Sequence, residues 1–466
     1  MKITLKLILA AICIFQSAQL AAQESILKAE LKTGSPLLVS MNASQPRQNV
    51  ILVYRGGLSQ IQKNLHGATG ILFDLLEEGP KNIPAEQYKK KLYLQNASIS
   101  FSATPRAFYV SITAPTEHIA AALKLAKETM TSPKLEKKLF DHLKTVSIQQ
   151  TLAEFENMRT VLNHFAFKDA FQNHPEFMDG QMSAPNKEKI SFEDVKAVSK
   201  LVFPANHLEV YSSGPMALGQ IQESIQTEIV GETDQQYIKI NFEKVQPADF
   251  KPKGLAITVL NKPAATDNQI LFIFPKPFGE TLQSRVIGQV SSFLLGGSGS
   301  SDLFRILRTE RGLTYGASSR IDNNRNYWIV ATFGGIKQTK DLITGVPEVV
   351  QKFQKKKISK QDVIEAKKML KVSFRDSLEL PEDRLDYLMS LSLNDVDLAL
   401  VDQYEKLLDA VTPKNVEDFA RSKFTTKEGF LYVMGDETVI VPILESLPNK
   451  EKTKTPIRKV QLNELQ

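Results

Sequence analysis

A chain of 466 residues, 42% hydrophobic and 24% charged, is long for one core and suits two domains of about 200 residues each. The net charge of +6 is spread along the chain, and the basic runs at 89–91 and 355–357 lack interleaved aromatics, so nucleic-acid binding is not expected. The single cysteine, Cys13, rules out a disulfide framework.

In chain order, residues 1–22 read as a secretory signal. Lys2 and Lys6 make a basic start, 7–15 an apolar core too short to span a bilayer, and Leu20, Ala21 and Ala22 a small-residue cleavage site. Ile12 before Cys13 argues against a lipoprotein signal. Cleavage would leave a net charge of +4 and no cysteine, hence no thiol chemistry. No second apolar run approaches 18 residues, so the expectation is an exported soluble protein without a membrane span, in a bacterial periplasm.

The first half, 23–235, reads as strands at 49–54 and within 98–113, with an apolar helical stripe of Ala68, Ile71, Leu72, Leu75 and Leu76 between them. Helical patterns follow at 117–130, 134–167 and 185–200, then a strand at 207–213. A polar stretch around 236–253 reads as a linker. The second half, 254–450, repeats the order: strands near 255–260, 268–275 and within 314–333, and helices near 282–295, 337–356, 359–379, 397–410 and 412–423. Residues 451–466 form a tail. This is an α+β pattern with antiparallel or mixed sheets and helices packed on one face.

The halves are copies. An ungapped offset of 221 sets residues 190–215 over 411–436, with Ser191 on Thr412, Phe203 on Phe424 and Gly214 on Gly435. An offset of 219 sets 107–113 over 326–332 and Leu75-Leu76 over Leu294-Leu295. Matches at nearly one offset along the whole length imply two structurally similar halves.

The most informative stretch is 294–318. An apolar helix end runs into a Gly/Ser loop at 296–301, then a short helix with Ser300 or Ser301 as N-cap and Asp302 in its first turn. Gly312 stands where a left-handed residue would stop that helix, and a strand resumes from Thr314. Arg308 and Tyr315, folded back across the glycine, offer a guanidinium and a phenol to one point, a donor pair suited to a peptide carbonyl or its oxyanion. A helix-terminal Arg and a strand-opening Tyr also have ordinary structural uses. The Gly/Ser loop lacks the Gly-Lys-Ser/Thr of a phosphate loop, and no G-x-S-x-G occurs, so nucleotide binding and serine hydrolysis are excluded.

This segment resembles the second-half signature of the pitrilysin/insulinase metallopeptidases, as do Lys262-Pro263-Ala264-Ala265 with Gln269 and the run 275–278. With the matches below, the resemblance covers roughly 45–436. It implies two α+β halves related by a pseudo-twofold and enclosing a clam-like chamber. Active members carry H-x-x-E-H, two imidazoles one helical turn apart on zinc with a glutamate as base. Anchored on the Gly79 turn, this chain places Gly70 and Asp74 at the histidine positions and Phe73 at the glutamate. Gln149 and Gln150 stand where the third ligand belongs. The six histidines (66, 118, 142, 164, 174 and 207) show no pair at ligand spacing. His66 reads as an exposed cap residue and Glu77 and Glu78 as solvated.

One half-site kept and one lost is the pattern of the family's non-catalytic subunits. The resemblance therefore implies no metal site or activity in this chain alone. A zinc-bearing H-x-x-E-H homologue would be the partner in a heterodimer and supply the zinc, while Arg308 and Tyr315 hold the carbonyl of a peptide substrate. The alternative is an inactive periplasmic scaffold or peptide-binding protein of the same fold.

Overall fold

The computed structural model describes residues 26–172, 174–177, 184–250, 252–447 and 457–461; the expected signal segment lies outside them. The first half runs β1 (Ile26–Glu30), β2 (Pro36–Met41), β3 (Gln48–Arg55), α1 (His66–Leu76), α2 (Ala85–Leu94), β4 (Ser98–Ala103), β5 (Ala107–Ala114), α3 (Ile119–Thr131), α4 (Lys137–Glu154), α5 (Met158–Ala170), α6 (Ala184–Glu188), α7 (Phe192–Val198), β6 (Leu208–Gly214) and α8 (Leu218–Ile225). The second runs β7 (Leu255–Asn261), β8 (Asp267–Pro275), α9 (Leu282–Gly296), α10 (Asp302–Phe304), β9 (Gly316–Asp322), β10 (Tyr327–Gly335), α11 (Thr339–Lys355), α12 (Lys360–Asp376), α13 (Pro381–Leu393), α14 (Leu400–Asp409), α15 (Pro413–Lys423), β11 (Gly429–Gly435), α16 (Glu437–Glu445) and β12 (Arg458–Gln461).

Each half builds a six-stranded mixed sheet, in the orders β1-β2-β6-β3-β5-β4 and β12-β7-β11-β8-β10-β9. The inner five strands correspond one to one, with a parallel pair (β2 with β6, β7 with β11) beside an antiparallel run. The sixth differs: β1 lies antiparallel on β2, whereas β12, from within the expected tail, lies parallel on β7.

Burial corrects the register of the duplication. On β5, Phe108, Val110, Ile112 and Ala114 face the helices; on β10 the buried, helix-facing set is Trp328, Val330 and Thr332. These strands therefore align at an offset of 220, not 219, and a one-residue slip would turn every side chain to the other face. α3 and α11 follow the same offset, Ala122, Leu123 and Ala126 answering Leu342, Ile343 and Val346. β6 and β11 keep 221.

The expected helix 134–167 is two helices. Asn157 accepts the Arg159 and Thr160 amides on its side chain at 3.0 and 3.1 Å, capping a new start. That break lets α5 leave its own half. Val161, Leu162, Ala166 and Ala170 of α5, with Phe171, pack on the face of the second sheet made by Leu271, Ile273, Tyr327, Tyr432 and Met434. Conversely α13, absent from the sequence reading, places Leu385 and Leu393 on Leu38, Val53, Ala107 and Tyr211 of the first sheet. Each half thus lends one helix to its twin.

The linker is bound, not free. The Tyr237 and Ile238 amides donate to the Thr33 and Asn206 carbonyls, both at 2.7 Å. The Phe242 ring lies between Arg55 and Arg106, 5.3 and 4.8 Å from their guanidinium carbons. Both arginines reach the carbonyl end of α13, Arg55 to Ser392 O at 3.4 Å and Arg106 to Leu393 O at 2.6 Å.

Candidate functional site

α9 ends at Gly296, where a Cβ would come within 2.4 Å of the Ser319 amide nitrogen, so only glycine lets the helix cross β9 this closely. Ser301 takes the N-cap position of α10, yet its hydroxyl donates to Ser298 O at 2.6 Å and makes no bond to the helix amides. Asp302 is buried and paired with Lys356 at 3.1 Å and Arg305 at 3.3 Å.

Past Phe304 the helix widens into a π turn, Arg305–Glu310. Gly312 adopts φ +63°, as the sequence implies. Its amide returns to Arg308 O at 3.0 Å and that of Leu313 to Leu307 O at 2.9 Å, closing the helix end. Across this turn the Arg308 guanidinium donates to the backbone carbonyl of Tyr315 at 2.8 Å and lies 4.8 Å from the Phe304 ring centre. The Tyr315 side chain is 76% exposed, and its hydroxyl has no partner among the described residues. Strand β9 begins two residues later than expected, at Gly316. Thr314 fixes that start, its hydroxyl 2.5 Å from Phe333 O while accepting the Gly316 amide at 2.9 Å. β9 is the outer strand of its sheet. At this exposed turn the Arg308 side chain is tethered by one nitrogen to the Tyr315 backbone, and the Tyr315 side chain stands in solvent.

The matching region of the first half is built differently. Gly70 and Asp74 lie exposed on α1, one turn apart. Phe73 is buried, its ring 6.1 Å from both Phe108 and Phe203 and 6.3 Å from Phe101. Partial burial, then the neighbouring Glu77, push the Asp74 carboxyl up, with Lys187 opposing. Gln149 and Gln150 are exposed on α4. One carboxylate, a glycine and a core phenylalanine do not fit zinc, which takes His, Cys or several carboxylates. Among the described residues no group of three or more His, Cys, Asp and Glu is placed to hold a metal ion.

His66 overturns one expectation. It is only 5% exposed, and its Nε2 lies 3.0 Å from Ile61 O. The helix needs no cap there, because residues 63–65 form a 3₁₀ turn that leads directly into it. Burial lowers the imidazole pKa below its ordinary value.

Against known proteins, residues 189–370 match the family model of the peptidase M16 inactive domain. A non-peptidase homologue from Helicobacter pylori, YmxG, is 23% identical over 403 residues, 83% of this chain and 88% of that protein. The M16 inactive-domain structure from Pseudomonas fluorescens superposes with a TM-score of 0.77 at 15% identity, over 88% of this chain and 98% of that one. The Escherichia coli periplasmic protease PqqL gives a TM-score of 0.71 at 14% identity over 89% of this chain, which spans 47% of PqqL. No helix among the described residues is long and apolar enough to cross a membrane. With two duplicated α+β halves, the chain has the fold of the M16 peptidases, and its residues 189–370 match that family's inactive domain.

Proposed function

We propose that this chain is the non-catalytic subunit of an exported two-chain zinc peptidase. The observation that carries the reading is the asymmetry of the two half-sites. The first retains neither zinc ligands nor base, while the second keeps Arg308 and Tyr315 together at an exposed, rigid turn. In the complex a partner with H-x-x-E-H supplies the zinc and activates the water. Arg308, whose charge is fixed and whose fork has nitrogens to spare beyond the one bonded to Tyr315 O, grips the substrate carbonyl. The Tyr315 hydroxyl adds a neutral donor to the oxyanion as it develops. A periplasmic location is supported by the sequence of residues 1–22 and by the naming of PqqL as a periplasmic protease.

A second reading, a scaffold or peptide-binding protein without any peptidase role, draws support from YmxG, which is named a non-peptidase homologue. Co-expression with an exported H-x-x-E-H homologue, followed by size-exclusion chromatography, separates the two. The subunit reading expects a stable 1:1 complex burying more than about 1,000 Å² in total and cleaving peptides that neither chain cleaves alone. Elution as independent monomers at micromolar concentration would favour the scaffold.

A further inference from the structure

Between α3, the β1–β2 turn, the loop after α7 and the start of the linker lies a cavity of about 320 Å³, within the range of small-ligand pockets. Tyr54, Met130, Phe203 and Leu208 give it apolar walls, and Lys127 and Lys200 also line it. Several of the hydroxyls around it are already engaged. Thr131 donates to Lys127 O at 2.8 Å, Ser199 donates to Lys196 O at 2.9 Å, and Thr33 pairs with Ser35 at 2.8 Å.

Besides the exposed Thr233 and Gln235 at the rim, three lining groups keep donors without a strong acceptor. The buried Tyr54 hydroxyl has only the Met130 thioether, a weak acceptor, at 3.6 Å. Lys127 is half-buried and has neither ion pair nor hydrogen bond among the described residues. Lys200 is exposed. Burial lowers the Lys127 pKa, and no carboxylate offsets it. A lysine near a helix C-terminus is favourable by dipole alone, but that argument suits a solvated ammonium, not one held beside a cavity with no partner.

The duplication supplies an internal comparison. The second-half counterparts of Tyr54, Lys127, Met130 and Phe203 are Phe274, Pro347, Val350 and Phe424. There Trp328 stacks between Phe274 and Phe424, ring centres 4.8 and 4.5 Å away. One fold position is thus packed solid with aromatic rings in one copy, and in the other is open, hydroxyl-bearing and cationic.

We propose that this first-half cavity binds a small monocarboxylate with an apolar tail, its carboxylate on Lys127 and the Tyr54 hydroxyl and its tail against Met130, Phe203 and Leu208. Only acceptors satisfy the unspent donors, and the exposed Glu232 carboxylate at the rim opposes a dianion. Such a group could come from a short fatty acid or from the C-terminal residue of a small peptide.

Isothermal titration calorimetry of the mature chain with octanoate, octanol and N-acetyl-leucine tests this. At least one of the two carboxylates should bind saturably at one per chain, and octanol at least about tenfold more weakly than octanoate. Lys127→Met should lower carboxylate affinity about 10- to 100-fold, the loss of one charge-assisted bond, while leaving octanol unchanged and the thermal midpoint equal or higher. Tyr54→Phe, nearly isosteric, should lower carboxylate affinity several-fold and keeps the test decisive if Lys127→Met misfolds. Tighter binding of octanoate than of N-acetyl-leucine assigns a lipid-derived acid, the reverse order a peptide terminus. Failure of both carboxylates to bind at millimolar concentration, parity of octanoate and octanol, or wild-type carboxylate affinity in Lys127→Met would overturn the proposal.

Discussion

In the first half, the helix after the second inner strand points Phe73 into an aromatic cluster and leaves Gly70 and Asp74 on its outer side. In the second half, the segment after the equivalent helix stands Arg308 and Tyr315 outside the protein on a turn closed by the Gly312 and Leu313 amides. The framework is the same, and even the burial pattern of β5 and β10 is shared. The side chains differ: Phe73 is core in one copy, while in the other Arg308 and Tyr315 stand exposed. One duplicated framework therefore accepts a core phenylalanine in one half and an exposed polar turn in the other.

The sharpest way to break this contrast is to place a glutamate at position 73 alone. Phe73→Glu removes a buried ring and places a carboxylate among Phe101, Phe108 and Phe203, so the loss of stability should be at least about 4 kcal/mol. Denaturant unfolding of the variant measures it. A loss under about 1 kcal/mol would mean that position 73 is still a site and not core.

Smaller, but aimed at the seam between the halves, is Arg106→Ala. The Arg106 Nε lies 2.7 and 2.8 Å from the two Glu176 oxygens, and its Nη1 holds the end of α13. Removing Arg106 leaves the buried Glu176 carboxylate with only the longer Arg325 contact at 3.9 Å, a loss of up to about 3 kcal/mol. The unfolding transition should stay single, because the exchanged helices α5 and α13 tie both halves into one unit. Two separated transitions would show that the halves unfold independently.

The smallest effect tests His66. Because burial lowers its folded pKa, the unfolded chain takes up the proton first as pH falls. The associated stability is present above about pH 6.5, the unfolded value, and is lost as pH drops through the folded one. Between pH 7.5 and 5 the wild type should lose more thermal stability than His66→Gln. Equal losses would return His66 to the solvent-exposed role read from sequence.

Much of this was legible in the chain. Gly312 gave the left-handed helix stop, and the 221 offset paired β6 with β11 correctly, because glycine conformation and ungapped similarity are local signals. The register of β5 on β10 was misread because FYV over YWI scores well by residue type, whereas a strand's faces are set by what it packs on. Asn157 gave a local capping signal that a continuous helical reading passed over, whereas α13 was invisible because its apolar residues serve the other half's sheet, distant in sequence. His66 looked like a polar helix head because nothing local reveals that the carbonyl of Ile61 closes over it. The cavity beside Lys127 could not have been inferred, since it is defined by five separate segments.

The most direct test of the central claim is the turnover of the assembled complex carrying Tyr315→Phe, measured beside its thermal midpoint. If the phenol stabilises the oxyanion over the partner's zinc, kcat should fall about 10- to 1,000-fold with KM nearly unchanged and with the midpoint and assembly of wild type. Undiminished kcat in an intact complex would contradict the role assigned to this residue.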